Sequence, residues 1–123
     1  MTPRDLSRQS ALVVGTNAVE IMDIEEYLTL SGWSTPVIAQ AFDEAERILE
    51  RADGAIHLVI VLLPQGHPDA AAIIRTCISL GIGLIVMNGA RTKLVDGQVI
   101  MLTRPFVERD LDEALHALGL AVV

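Results

Sequence analysis

The sequence predicts a doubly wound α/β domain built on a five-stranded parallel sheet. Three observations predict it. Short apolar runs alternate with segments of helical period about five times along the 123 residues, as when strands are joined by crossover helices. Hydrophobic residues make up 51% of the chain but aromatic ones only 3%. Such a core is aliphatic, as in sheets buried on both faces. The run His57-Leu58-Val59-Ile60-Val61-Leu62-Leu63-Pro64 is apolar nearly throughout and ends in a turn, as a central strand does.

Each element has its own signal. Ala11–Val14 is the first strand. Asn17–Leu30 follows as a helix, with Ile21, Ile24, Leu28 and Leu30 on or near one face, and Gly32 ends it. Thr35–Ala39 is a short second strand. Asp43–Ala52 is the second helix: Asp43, Glu44 and Glu46 crowd its start, where negative charge suits the dipole, and Ala45, Ile48, Leu49 and Ala52 form its inner stripe. Ile56–Leu63 is the third strand. Pro68–Leu80 is a helix with proline in the first turn, where its missing N–H costs nothing, and with Gly81 as its cap. Gly83–Met87 and Val99–Thr103 are the last two strands. Val107–Leu118 is the last helix, with Leu111, Ala114, Leu115 and Leu118 at i, i+3, i+4 and i+7 and Gly119 as its cap. At this size the natural strand order is the flavodoxin-like 2-1-3-4-5. Only Asn88 to Gln98 separates the fourth and fifth strands, and Asp96-Gly97 within it signals a turn. The fourth crossover helix is therefore expected to be a single turn or absent.

Residues 1–9 are polar and read as a flexible tail, and 10–123 as one domain. No apolar stretch suits a membrane span, and the start lacks the apolar core of a signal peptide. A cytoplasmic protein is expected. The net charge of −7 repels phosphate backbones and argues against direct nucleic-acid binding. The single Cys77 gives neither an internal disulfide nor a zinc spacing, and reads as a small buried hydrophobe. Trp33 reads as a packing residue.

In an open parallel sheet, ligands bind beyond the carboxyl ends of the strands. That rim holds Gly15, Thr16, Asn17, Leu62, Leu63, Asn88, Gly89 and Arg104, and the nearest carboxylates in sequence are Glu20 and Asp69. Magnesium usually needs one or two carboxylates, and phosphoryl transfer to protein needs a nucleophile beside the metal. The rim offers neither, so no cofactor or metal is expected. Val13-Val14-Gly15-Thr16-Asn17 has one glycine, not the three of a dinucleotide fingerprint. It reads as a strand-to-helix loop, with a small anion at Thr16 and Asn17 as the sharper alternative. His67 reads as part of a polar loop, since His57 and His116 lie on other elements.

Leu12-Val13-Val14, the His57–Pro64 run and Met101-Leu102-Thr103-Arg104-Pro105-Phe106 together resemble the receiver domain of two-component response regulators. The resemblance spans about residues 10 to 119. In that family the third strand ends on an aspartate that accepts phosphate, and the first ends on an acidic pair that holds magnesium. Here Leu62 stands at the phosphoacceptor position and Gly15 and Thr16 at the acidic pair. Asn88, or Gly89 by one residue of register, stands where a Ser or Thr switch residue is usual, and Arg104-Pro105-Phe106 resembles the Lys-Pro-Phe corner. The hydrophobic frame matches while every reacting position departs. The resemblance implies a degenerate receiver that cannot be phosphorylated. Such a protein is not an enzyme, and works in two-component or phosphorelay signalling through protein contact, with a histidine kinase or a response regulator as partner. The alternative is a small-ligand or anion sensor using Thr16, Asn17, Asn88 and Arg104, and a third reading is an enzyme subunit completed by a partner.

Two surfaces are candidates for contact. The fifth strand lies at the edge in this order, and exposed edges invite pairing. A homodimer or partner face is expected over Val99, Ile100, Met101 and Leu102, with Glu108, Arg109 and Asp112 as its charged rim. The acidic face of the second helix, with Asp43, Glu44, Glu46 and Glu50, reads as solvated, and otherwise as a dock for a basic partner.

Overall fold

The computed structural model describes residues 9–52, 54–62, 68–87, 99–102 and 106–120, with the backbone alone at 68–70. The polar start through Arg8, His67, the Asn88–Gln98 connection, where the fourth helix is expected to be a single turn or absent, and Arg104 lie outside the described residues. Five strands form one sheet: β1 (Ala11–Val14), β2 (Val37–Ala39), β3 (Leu58–Val61), β4 (Gly83–Met87) and β5 (Val99–Leu102). Their order is β2-β1-β3-β4-β5, and every pairing is parallel. The described helices are α1 (Ala18–Leu30), α2 (Phe42–Ala52), α3 (Pro68–Leu80) and α4 (Glu108–Ala117). The doubly wound fold and its strand order are as the sequence predicts.

Strand periodicity divides the core in two. Leu12, Val14, Val59, Val61, Leu84 and Val86 point to the face covered by α2 and α3, where they meet Ala45, Leu49, Ile73 and Cys77. Ala11, Val13, Leu58, Ile60, Ile85 and Met87 point to the opposite face, under Ile24 and Leu28 of α1 and Leu111 and Leu115 of α4. Both faces of the central strands are thus apolar, which is why β3 reads as an unbroken hydrophobic run rather than an alternating one. Trp33 is buried in the second cluster and Cys77 in the first, both as packing residues.

Element ends differ from the sequence reading by a residue or two, because the ladder stops where its partners do. β3 is paired over Leu58–Val61 rather than Ile56–Leu63. Asn17 and Val107 are caps rather than helical residues. Leu30 is a correction: it lies 76% exposed. It follows Leu28 by two residues, about 200° around the helix, so it cannot share the inward face. Tyr27 takes that place, 7% exposed. Its hydroxyl donates to Asp112 Oδ1 at 2.5 Å, tying α1 to α4. Burial, and then the adjacent Asp112 carboxylate, push the Tyr27 phenol well above its ordinary range. Tyr27→Phe is expected to lower stability by about 1–3 kcal/mol, since a hydrogen bond to a charged group is lost. Urea unfolding of the two proteins checks it; equal midpoints would mean the bond contributes nothing.

Candidate functional site

The switch point lies between β1 and β3, whose last residues Val14 and Val61 are partners across the ladder. Backbone hydrogen bonds carry the order one residue further. Leu62 N–H donates to Val14 O at 2.8 Å, and Gly15 N–H donates to Ala39 O at 2.9 Å. Leu62 is therefore held as rigidly as a strand residue, at the carboxyl edge of the central strand. Its side chain is 6% exposed and packs with Val13, Ile60 and Met87.

Gly15 lies beside it. A Cβ at Gly15 would stand 3.0 Å from both Cβ and Cδ1 of Leu62. The φ of Gly15 is not in the left-handed region, so the glycine serves space and not conformation. Leucine at 62 and glycine at 15 are complementary: the large side chain fills what the missing one leaves. A carboxylate-bearing residue at position 15 would have to displace Leu62 before it could reach a metal.

Thr16 and Asn17 are exposed. Asn17 caps α1: its Oδ1 accepts from Val19 N–H at 3.0 Å and Glu20 N–H at 3.1 Å. That oxygen stands where an anion's oxygen would sit, so the first turn of α1 satisfies its own amides. Glu20 faces a groove beside the start of α4, which it lines together with Phe106 and Glu108. The side chain of Asp69 lies outside the described residues, as do Asn88 and Arg104. Among the described residues no group of three His, Cys, Asp or Glu is placed to hold a metal ion. His57 lies before β3, at the opposite end of the sheet, where its Nδ1 accepts from Ser10 N–H at 3.1 Å.

The fifth strand is the edge strand of the order β2-β1-β3-β4-β5. Val99 is buried, and Ile100, Met101 and Leu102 are half-buried. Met101 packs into the core on the α2 and α3 face, and Ile100 and Leu102 into the core on the other. Glu108, Arg109 and Asp112 are exposed, with Asp112 already accepting from Tyr27.

The groove between α1 and the start of α4 was not legible beforehand. It has a volume of about 750 Å³. Val107 stands at its edge, 62% exposed, and Asp110 Oδ2 accepts from Val107 N–H at 2.9 Å, which fixes the entry to α4. The signal in the sequence was the pair Val19 and Met22 on the polar side of α1.

The sequence matches no protein-family model and no curated protein. Solved structures do match. A response regulator receiver protein from Sinorhizobium medicae is 20% identical, with 93% of this chain and 97% of that chain covered and a TM-score of 0.76. A response regulator receiver domain protein from Clostridium thermocellum is 20% identical, with 90% and 94% covered and a TM-score of 0.68. The anti-anti-sigma factor PhyR of Bartonella quintana, as a double mutant, is 17% identical, with a TM-score of 0.67; the match covers 91% of this chain but 48% of that one. What the chain shares with all three is the receiver fold.

Proposed function

We propose that this chain is a receiver-like signalling module that cannot accept phosphate and acts by protein–protein contact. The observation that carries the reading is the pair Leu62 and Gly15. The strand end where receiver domains hold their phosphoacceptor carries a buried leucine, and the neighbouring position has no room for a larger side chain while that leucine stands there. Leucine forms no acyl phosphate, and glycine brings no carboxylate to a metal. With the reaction centre filled by hydrocarbon, the fold is left as a shape to be recognised. A cytoplasmic place in a two-component or phosphorelay pathway fits it, with a histidine kinase or response regulator as partner and no enzymatic turnover of its own. The anion-sensor reading loses ground because Asn17 already serves the amides of α1.

The test is chemical. Incubated with acetyl phosphate and magnesium, the protein is expected to show no phosphate adduct in its intact mass. A stoichiometric adduct that survives acid and is lost in base would be an aspartyl or glutamyl phosphate, and would end this reading.

A further inference from the structure

We propose that the groove between α1 and the start of α4 docks a basic amphipathic helix of a partner protein. This rests on the reading of the chain as a contact module, and gives that contact a place and a chemistry. The floor is apolar and aromatic, with Tyr27, Phe106 and Leu111. Its walls carry Glu20, Asp23, Glu26 and Glu108, and among the described residues no lysine or arginine lines it.

The flank continues the pattern. Val19 is 68% exposed, Met22 65% and Leu30 76%. With Asp23 and Glu26 they recur at i, i+3, i+4, i+7 and i+11, one stripe of α1. Val107 extends it across the groove. Of the six exposed large hydrophobic residues of the described chain, four belong to this surface. Exposed apolar side chains concentrated on one face mark an interaction site.

Charge selects the occupant. The α1 sequence AVEIMDIEEYLTL carries four carboxylates and no basic residue. A second copy would bring the same carboxylates against each other, which is destabilising. A helix with a lysine or arginine edge and a leucine-type face would satisfy both the acidic walls and the apolar floor. The shape agrees, since a helix of thirteen residues is about 20 Å long and offers a partner helix several turns of contact.

The probe is a synthetic amphipathic helix of leucine and lysine, about 18 residues long so that helix formation is not marginal. Its counterpart has glutamate for lysine. Binding to the full chain is followed by fluorescence anisotropy at about 0.15 M salt, where long-range attraction is screened beyond about 8 Å. Amide shifts are mapped by NMR. The lysine peptide is expected to bind and the glutamate peptide not to. The shifts should centre on Val19, Met22, Asp23 and Val107. Asp23→Lys/Glu26→Lys should weaken binding about tenfold or more, because opposed charges become like charges. Glu46→Lys/Glu50→Lys on α2 makes the same change in net charge and should weaken it less than about twofold.

Equal weakening by both pairs would show attraction to net charge alone and overturn the proposal. So would shifts centred on α2, on β5 or on the strand-end rim, or dimerisation through α1 seen by light scattering and abolished by Asp23→Lys. These failures leave the acetyl phosphate result untouched, so the docking site and the loss of phosphorylation stand or fall separately.

Discussion

Gly15→Ala is expected to destabilise the protein by about 1–3 kcal/mol, the usual cost of overpacking, and to lose most of that penalty once Leu62 is also alanine. The new Cβ would meet Leu62 Cβ and Cδ1 at 3.0 Å, closer than carbon atoms rest. Leu62 cannot simply move aside, because its backbone N–H is bonded to Val14 O and its side chain is buried among Val13, Ile60 and Met87. Leu62→Ala alone is expected to cost about 2–4 kcal/mol, as for a buried leucine truncated in a rigid setting. The double variant fills part of that cavity with the new methyl group. Its loss should fall short of the sum of the two singles by about 1 kcal/mol or more. Denaturant unfolding of the four proteins gives the coupling directly, and strict additivity would mean the two residues do not meet. Leu62→Asp is expected to be worse than Leu62→Ala at neutral pH, since a carboxylate would be buried with no described cation beside it. It should not restore phosphorylation while Gly15 and Thr16 bring no carboxylate for magnesium. An adduct on Leu62→Asp in acetyl phosphate would show that the rim supplies metal ligands from another element.

The strand order was legible because parallel strands need crossovers, and the alternation of apolar runs with helical periods leaves little choice of topology. The core faces were legible for the same reason: Ile24, Leu28, Leu111 and Leu115 recur at helical spacing. Leu62 could be identified as a packing residue at the end of the third strand, since its apolar type and the run it closes point inward. The reason for Gly15 could not be read, because it depends on an approach between residues 47 positions apart in the chain. How far the side chains of β5 are covered was not legible, because it depends on where the other elements lie: Met101 is half-buried against one core cluster and Ile100 against the other. The acidic groove is not legible in the sequence, because nothing in it separates Leu30 from the inward Ile24 and Leu28, whereas in the fold Leu30 lies exposed on one stripe with Val19 and Met22. A helix with apolar residues on two faces is ambiguous until its partners are known.

The single thiol provides a second large effect. Cys77 is fully buried on α3, and burial pushes it up from 9.0 to about 12. Below pH 9 the thiol is neutral both folded and unfolded, and its contribution to stability is present in full. As pH rises toward about 12 the unfolded chain releases its proton first, and that contribution is lost. The whole effect is worth at most ~4 kcal/mol. The Tyr27 phenol, raised from 10.0 by burial and by Asp112, adds a loss of the same sign above pH 10. Unfolding free energy is therefore expected to fall steeply from pH 9 upward. Cys77→Ala should flatten the first part of that fall and leave the part due to Tyr27. At neutral pH the same burial keeps the sulfur from acting as a nucleophile, because the thiolate is the reactive form. Iodoacetamide should modify Cys77 only as fast as the protein opens, and the rate should rise with urea in step with unfolding. Modification of the folded protein at the rate of a small free thiol would show that α3 does not seal the sulfur. The side chain best suited to covalent chemistry would then be within reach of a substrate, against a non-catalytic module.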